Sequence, residues 1–577
     1  MRIGIPSFLA VALLWSGSGN VWSADEAVAP AASVPVETLP DPTQAPAPTT
    51  PDGPLEPDPS KIVFAVTEYR VEGNAILPSD QVNAILAQYR GSMQRVSDVE
   101  QARGALESAY REAGYPTVLV VVPEQTVEDG VVKLTVIESK LGELTVTGNR
   151  HISTRRLLDK LPSLRPGVIL HEPTVLEELD GVNATLDRQV VPVLTVGQDP
   201  GTVNLELKVR DRVPLHGNVE WNNRGTPSTP EQRLSVSVRY ADVFAREHIL
   251  ALQTTQSPQD WGAVEVYGAS YVIPLEGRRS LSTYVATSNS RSALDGSSLS
   301  TAGGDVAITG NATVAGVRYA FEIKELHQLS VGLDYKRLGE SEALFPGDLG
   351  TAVVSTPVSY APVSLAYSGS ARDDDGVTRW SLSIKEHIAD LVPGGGKREF
   401  GGDPEDPLAV PGNRAGATGT FFVIQAGGGR VQQLEDGFSL SLAVDGQVAS
   451  EPLIAAEQFL AGGIESVRGY IENEAQGDHG IRGAVELTTP RRLFRGPERW
   501  FSGSLQAALF ADGAALSVKD APPGQTNHYT LVGLGFGVRV MLMEGIEARL
   551  DQAWALADGT VTRRGDARGH VSLKFLF

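Results

Sequence analysis

Apolar and polar residues alternate with a period of two along most of the chain from residue 213 to residue 577. Clear examples lie at residues 234–240, 329–335 and 438–444. Strands give this pattern because their successive side chains point to opposite faces of a sheet. A membrane barrel with lipid outside and water inside is built from such strands. A soluble sandwich with its apolar faces turned inward would show the same alternation, so the pattern alone leaves both folds open.

A different organisation precedes this region, where an internal repeat covers residues 64–210. Val71-Glu72-Gly73-Asn74 recurs 75 residues later as Val146-Thr147-Gly148-Asn149, and each copy follows a short strand-like run. Residues 130–136 are echoed 71 residues later by residues 201–207. The beginning and the end of one structural unit are therefore both repeated, which predicts two related domains in tandem.

Between the repeated strands, both copies have apolar residues spaced three and four apart, which predicts helices. Ser97 and Glu100 predict a capping box at the start of the first long helix. In the second copy, Leu176 and Leu179 are expected to share the buried face of the corresponding helix. Each unit is thus predicted to run strand, helix, helix, strand, strand, and to form a small α+β domain.

The first 62 residues have a different composition. Arg2 is followed by an apolar run and then by Val21-Trp22-Ser23, which predicts a signal peptide over residues 1–23. Residues 24–62 contain ten prolines, which block helix formation and predict a disordered, solvated linker. An exported chain without cysteine fits the envelope of a bacterium with two membranes.

Composition excludes several classes of function. A net charge of -21 argues against a nucleic-acid-binding protein, because neutralising phosphates requires clustered Lys and Arg. The absence of cysteine excludes disulfides, thiol nucleophiles and cysteine-based metal sites. The run Gly533-Leu534-Gly535-Phe536-Gly537 lies in an alternating strand with no helix after it, so it is not a dinucleotide loop. We predict no catalytic residue, no metal site and no cofactor.

The order of motifs in the repeated region resembles that of paired polypeptide-transport-associated (POTRA) domains. Ala113-Gly114-Tyr115 ends the first long helix, and Val122-Pro123-Glu124-Gln125 precedes a turn at Asp129-Gly130-Val131. This arrangement resembles the TpsB family, the outer-membrane transporters of two-partner secretion. The resemblance implies a first POTRA domain at residues 63–139, a second at 140–212, and a transmembrane antiparallel β-barrel of about 16 strands at 213–577. Two unrelated ferredoxin-like binding modules are the alternative for the repeat.

A second resemblance concerns the segment Val467-Arg468-Gly469-Tyr470, which is similar to a loop motif of the superfamily of outer-membrane assembly and transport barrels. The resemblance implies that the sixth extracellular loop folds back into the lumen with Arg468 at its tip. On the residues alone, an arginine in a glycine-rich loop is more often solvated.

The implied partner of Arg468 lies in Phe510-Ala511-Asp512-Gly513, which resembles the family's Phe-x-Asp-x-Gly motif on the barrel wall. Ala514 occupies the fifth position, and the glycine comes one residue early. A guanidinium group in a partly dehydrated lumen needs a carboxylate, which Asp512 would supply. The alternative is that Asp512-Gly513 forms a hairpin turn.

Two weaker resemblances lie at the ends of the barrel region. Glu220-Trp221-Asn222-Asn223-Arg224-Gly225-Thr226 is similar to the first hairpin of TpsB proteins, and a generic outer-membrane hairpin is the alternative. Phe575 and Phe577 close the last alternating strand and resemble the sorting signal that the barrel-assembly machinery reads. The alternative for Phe577 is an ordinary core residue.

The resemblance implies an outer-membrane transporter with its POTRA domains in the periplasm. These domains would recognise an unfolded exoprotein, which would then be secreted through the barrel pore. The implied partners are a large secreted β-rich exoprotein of the TpsA type, outer-membrane lipid and, during biogenesis, periplasmic chaperones and the barrel-assembly machinery. The alternatives are an assembly insertase of the same superfamily, which would commonly have three or more POTRA domains, and a passive porin or receptor. The low helical potential of residues 24–61 predicts that a pore-plugging helix is absent or very short.

Overall fold

The computed structural model describes residues 63–577, with gaps at 186, 227–228, 291–295, 302–303, 310, 325, 340, 345–350, 404, 406–411, 497–501, 522–525 and 544. The expected signal peptide, proline-rich linker and absent plug helix lie outside the described residues. The chain forms two compact units that meet in sequence between Val213 and Pro214. No helix among the described residues is long and apolar enough to cross a bilayer.

The first unit contains two copies of the order strand, helix, helix, strand, strand, and the first copy has two further strands that pair with each other. Its elements are β1 (Val63–Val66), β2 (Glu68–Glu72), α1 (Ser79–Ala87), β3 (Gly91–Arg95), α2 (Val96–Glu112), β4 (Val118–Val121), β5 (Val131–Glu138), β6 (Lys140–Thr147), α3 (Thr154–Asp159), α4 (Glu172–Asn183), β7 (Arg188–Val196) and β8 (Thr202–Asp211). The sheet order is β2-β5-β4 in the first copy and β6-β8-β7 in the second. In both sheets the first pair is parallel and the second antiparallel.

Each copy has its own hydrophobic core between its helices and its sheet. In the first core, Leu86 of α1 and Leu106 of α2 are fully buried with Leu134 of β5. In the second core, Leu157 of α3 and Leu207 of β8 are fully buried. An amphipathic helix pair over one face of a small sheet is the packing that the three- and four-residue spacing predicted.

The repeated Gly-Asn turn has the same conformation in both copies. Gly73 and Gly148 have φ angles of 85° and 81°, which favour glycine. A Cβ atom on either glycine would overlap the carbonyl oxygen of Val136 or Val209 in the neighbouring strand. The glycine is therefore required because the turn lies directly against the sheet.

A carboxylate at the end of the last strand completes each of these turns. Glu138 accepts hydrogen bonds from the backbone N–H groups of Ala75 and Ile76, both at 2.8 Å. In the second copy, Asp211 accepts from the N–H groups of residues 150, 151 and 152 at 2.7–2.9 Å. The carboxylate satisfies backbone donors that would otherwise have no partner in the turn.

The second unit is a closed antiparallel barrel with additional two-stranded sheets. Its elements are β9 (Leu215–Asn222), β10 (Arg233–Val243), β11 (His248–Gln256), β12 (Val264–Leu275), β13 (Arg279–Ser290), β14 (Gly296–Thr301), β15 (Gly304–Thr309), β16 (Ala312–Lys324), β17 (His327–Leu338), β18 (Ser341–Leu344), β19 (Thr351–Ser355), β20 (Val358–Tyr360), β21 (Val363–Arg372), β22 (Gly376–His387), α5 (Lys397–Gly401), β23 (Phe421–Gln433), β24 (Ser439–Ala449), β25 (Phe459–Ala461), β26 (Ala475–Gly477), β27 (His479–Thr488), β28 (Arg492–Arg495), β29 (Ser502–Ser517), β30 (His528–Leu542), β31 (Ile546–Ala555) and β32 (Ala567–Leu576).

The barrel has sixteen strands if two interrupted strands are each counted once. β20 and β21 both pair with β17, and β27 and β28 both pair with β29. The barrel closes where β32 pairs with β9, from Asn218 to Asn222 against Ser572 to Leu576. This closing seam is short, since β29 and β30 pair along the whole of 503–517.

The two faces of a barrel strand distinguish a membrane barrel from a soluble sandwich. On β17, Val331, Leu333 and Tyr335 are 43–48% exposed on the outside. The alternate residues Asp334 and Lys336 are buried inside the barrel. The apolar face therefore points outward, where lipid covers it, and the polar face lines the lumen. The sequence prediction of a transmembrane β-barrel preceded by two POTRA domains is confirmed, and the sandwich alternative is wrong.

Candidate functional site in the barrel lumen

Residues 450–478 connect β24 to β27 and form the loop that contains Arg468. A two-stranded stem, β25 and β26, pairs Phe459–Ala461 with Ala475–Gly477. The tip of the loop, residues 462–474, contacts wall residues that face away from lipid. On β29, for example, Leu509 is 62% exposed on the outside, whereas its neighbour Phe510 is 3% exposed and faces the tip. The tip therefore lies within the lumen.

Arg468 is completely buried and binds the barrel wall through all of its nitrogens. Its Nε and Nη2 donate to the two carboxylate oxygens of Asp512 at 2.7 and 2.8 Å. Its backbone N–H also donates to Asp512, at 3.1 Å. Nη1 donates to Glu486 of β27 at 2.5 Å and lies 3.5 Å from Asp551 of β31. A bidentate, charge-assisted pair of this kind fixes both the position and the orientation of the side chain.

The aromatic ring of Phe510 covers one face of the guanidinium group. The Arg468 Cζ atom lies 3.3 Å from the centre of this ring. A cation against an aromatic face is stabilised by about 2 kcal/mol when it is desolvated. The two residues of the wall motif thus have separate tasks, because Asp512 binds the edge of the guanidinium plane and Phe510 its face.

Two further arginines balance the buried carboxylates around the tip. Arg539 of β30 donates to Glu486 at 2.9 Å and to Asp551 at 3.1 Å. Arg549 of β31 lies 2.7 Å from Asp551. Three guanidinium groups therefore face three carboxylates, which limits the free energy of burying charge in the lumen. The sequence reasoning missed this network, although each residue occupies a lumen-facing position of an alternating strand.

Two glycines allow the tip to approach the wall. Gly469 has a φ angle of 98°, and its N–H donates to Nε2 of His570 at 3.2 Å. On the wall, a Cβ atom at Gly533 of β30 would overlap the carbonyl oxygen of Arg468. Gly533 belongs to the glycine run that the sequence analysis rejected as a dinucleotide loop, and it provides the surface on which the tip lies.

The other two residues of the loop motif pack beside Arg468. Val467 and Tyr470 are fully buried in an apolar cluster with Ala514 and Leu531 of the wall. The Tyr470 hydroxyl donates to the carbonyl oxygen of Ala557 at 2.8 Å. All four motif residues therefore contact the wall, two through apolar packing and two through the charged cluster or a close backbone approach.

The departure from the wall motif is explained by the alternation of β29. Asp512 and Ala514 face the lumen, whereas Gly513 lies between them and a Cβ atom there would be 3.8 Å from its nearest neighbour. The lumen-facing small residue is thus Ala514, which packs against the tip. Asp512 and Gly513 lie in the middle of a strand, so the hairpin-turn alternative is wrong.

A residue of the first hairpin also reaches the tip. Arg224, which follows β9, lies 3.4 Å from Glu465 and 3.6 Å from Glu472. Phe575 and Phe577, in contrast, are 43% and 63% exposed and lie at the closing seam, away from the Arg468 cluster. The backbone of Phe577 exchanges two hydrogen bonds with Gly217 of β9, at 2.9 and 3.0 Å.

Comparison with protein families gives two matches along the chain. Residues 64–139 match the model of the ShlB-type POTRA domain. Residues 396–540, which include the loop and both sequence motifs, match the model of the haemolysin secretion/activation protein ShlB/FhaC/HecB.

Curated relatives align with only part of the chain. The outer membrane transporter CdiB of Dickeya dadantii is 25% identical over 181 residues, which are 31% of this chain and 32% of CdiB. The heme/hemopexin transporter protein HuxB of Haemophilus influenzae is 23% identical over 205 residues, 34% of this chain and 35% of HuxB. The aligned region thus spans about a third of these relatives.

Solved structures share the fold over nearly the whole described chain. CdiB from Escherichia coli is 17% identical with a TM-score of 0.62, covering 92% of this chain and 93% of that one. CdiB from Acinetobacter baumannii is 16% identical with a TM-score of 0.52, covering 91% of both chains. The family matches and this shared fold show that the chain is similar to the TpsB family of transporters, and they support a barrel in the outer membrane with POTRA domains in the periplasm.

Proposed function

We propose that the protein secretes a large exoprotein across the outer membrane, by binding its unfolded chain at the POTRA domains and passing it through the barrel. We take residues 63–139 and 140–212 as the two receptor domains. The family matches support outer-membrane secretion in general. The relatives are named for different transport functions, so the cargo class is left as a β-rich exoprotein of the TpsA type.

The observation that carries this proposal is the loop tip within the lumen. Ion pairs between Arg468 and the wall carboxylates hold the tip in place, and such carboxylates can pair with other arginines instead. If the tip moves, Arg539 and Arg549 remain beside Glu486 and Asp551. The wall therefore keeps partial compensation of its carboxylates, which lowers the free energy needed to displace Arg468. A movable tip can open a path for an extended polypeptide.

The second sheet supports docking at its edge strand, β7. Both backbone groups of Val190 bond to the side chain of Asn183, at 2.7 and 3.0 Å, so they point away from β8. Backbone groups alternate in direction along an antiparallel strand, so those of Pro192, Leu194 and Val196 point the same way. Proline has no N–H group, which leaves 194–196 as the stretch able to bind an added strand. The side chains of Leu194 and Val196 are 49% and 90% exposed, and an extended cargo segment would cover them.

The driving force in this proposal is folding of the cargo outside the cell. The sequence has no phosphate-binding loop, since Arg398 follows Gly396-Lys397 where such a loop has Ser or Thr. Burial of the cargo's own apolar surface outside would prevent its return.

Deleting residues 64–138 tests the docking role. We expect secretion to be lost because one of the two receptor domains is missing, while the barrel still assembles because it is a separate compact unit. Barrel assembly is checked by the change in electrophoretic mobility on heating, and secretion by the amount of exoprotein in the medium. Normal secretion by an assembled deletion variant would refute docking at the first domain.

A further inference from the structure

A second buried cluster holds the same loop at a different place. Glu457 lies in a short 3-10 turn just before the stem, and its side chain is fully buried. Its Oε1 accepts from Nζ of Lys336 at 2.6 Å and from the hydroxyl of Tyr360 at 2.7 Å. Its Oε2 accepts from Nζ of Lys385 at 2.6 Å. One loop carboxylate thus joins three different strands of the wall.

These strands are not the ones that bind Arg468. Lys336, Tyr360 and Lys385 belong to β17, β20 and β22, whereas Arg468 binds β27, β29 and β31. In the closed barrel, β23 and β24 separate the two groups of strands. The loop is therefore bound to two separate sectors of the lumen wall, near its beginning at Glu457 and at its tip.

The beginning of the loop is also tied to its end. Asp478 is fully buried and accepts from the N–H of Leu453 at 2.8 Å and from Nε2 of Gln458 at 3.0 Å. Its other oxygen accepts from the N–H of Lys519 at 2.7 Å. We name residues 453–458 the root of the loop. The root thus has charged and hydrogen-bonding partners of its own, which differ from those of Arg468.

We propose that Glu457 is a second, independent latch of the loop, a positioning residue that keeps the root against the wall while the tip moves. This inference rests on the proposed role of the tip as a movable gate. Displacing the tip, residues 462–474, breaks the contacts of Arg468 and its neighbours but not those of Glu457, so the stem stays in the lumen beside the path of the cargo. Complete withdrawal of the loop requires the Lys336 and Lys385 pairs to break as well.

Single-cysteine probes test this proposal, because the chain has no cysteine of its own. Ile454→Cys reports on the root and Ile464→Cys on the tip, and both isoleucines are buried, at 1% and 3% exposure. Each probe is combined with Glu457→Gln, Lys385→Gln or Arg468→Gln in the full chain, purified in detergent. The rate of reaction with a maleimide is then measured. Asp520→Asn, at an exposed position after β29, is the matched control.

Glu457→Gln and Lys385→Gln should each raise the labelling rate of the root probe about tenfold and leave the tip probe unchanged. Arg468→Gln should raise the labelling rate of the tip probe and leave that of the root probe unchanged. An unchanged root probe in both latch variants overturns the proposal, and so does an equal rise at both probes in any variant. Lys385→Gln keeps the test valid if Glu457→Gln does not fold. Labelling needs no cargo, so this result stands or fails separately from the secretion assay.

Discussion

At the scale of single residues, Gly533 sets how closely the loop tip approaches the barrel wall. In Gly533→Ala, the new methyl group would overlap the carbonyl oxygen of Arg468, which lies above it. Overpacking of this kind destabilises a site by about 1–3 kcal/mol. We expect the tip to spend more time away from the wall, which would be seen as more frequent open events in planar-bilayer conductance recordings.

Gly513→Ala is the matched control for that substitution. Gly513 lies between the lumen-facing positions of β29, and an added methyl group would be at an ordinary contact distance of 3.8 Å. Its conductance should equal that of the unaltered protein. If both alanine variants show the same conductance, close contact between Gly533 and the tip does not hold the tip against the wall.

Asp211 should make the stability of the second α+β domain depend on pH. Burial raises the pKa of Asp211, but the N–H groups of Ile152, Arg150 and His151 outweigh this and hold the pKa below its ordinary value. A carboxylate with a lowered folded-state pKa stabilises the fold above its unfolded pKa of about 4, and this contribution disappears as the pH falls through the folded pKa. Stability should therefore decrease on acidification below about pH 4.

Asp211→Asn isolates this contribution. The amide cannot accept all of the hydrogen bonds, and we expect a loss of about 1–3 kcal/mol at neutral pH. Urea unfolding of a fragment covering residues 63–213 at pH 6 and pH 3 measures it, with the exposed Asp159→Asn as a control. The Asp211 variant should lose less stability on acidification than the parent does. An identical pH dependence would contradict the role of this carboxylate.

Only those residues of the lumen cluster that belong to a sequence motif could be predicted from the sequence. Arg468 and Asp512 stand in recognisable runs, so their proximity could be expected. Glu486 and Asp551 stand in strands where a polar residue at every second position is ordinary. Only the strand register shows which of these positions lie side by side on the lumen wall.

At the scale of elements, the open part of the β7 edge gives a sharp test of docking. Leu194→Pro removes an N–H group that points away from β8, so the sheet should keep its own hydrogen bonds. We expect loss of secretion with little change in the melting temperature of the 63–213 fragment. Leu194→Ala, which keeps the N–H group, separates the backbone contribution from that of the side chain.

Val193→Pro completes the comparison. Its N–H group points toward β8, because Gly197, four residues on, donates to Thr202 of that strand. This variant should therefore destabilise the fragment. Secretion at the normal level by a folded Leu194→Pro variant would rule out strand addition at this edge.

Helices were predicted in the right order but with errors at their ends and faces. α4 begins at Glu172 and buries Val175, Leu179 and Val182, whereas Leu176 is 50% exposed, so the predicted face was wrong at that residue. The apolar residues of this short helix fit more than one face, and only the position of the sheet decides between them. β3 was missed, because Gly91–Arg95 shows no alternation and becomes a strand only by pairing with β1.

At the scale of the whole molecule, the alternation of apolar and polar residues predicted the strands. It did not predict whether their apolar faces point into a core or out toward lipid. A sandwich and a membrane barrel both satisfy that pattern. The outward apolar face of strands such as β17 decides for the membrane barrel. Lipid can surround such a sheet because the pairing of β32 with β9 closes it among the described strands. Closure is a contact between the two ends of the barrel sequence, and local periodicity does not record such a contact.

The short pairing between β9 and β32 has a mechanical consequence. A closed barrel is expected to open first between the two strands with the shortest pairing, which here are β9 and β32. The two backbone hydrogen bonds between Gly217 and Phe577 stabilise one end of this pairing. Gradual heating in detergent should therefore separate β9 from β32 first. The rate of amide hydrogen exchange should rise in these two strands before it rises in β29 and β30.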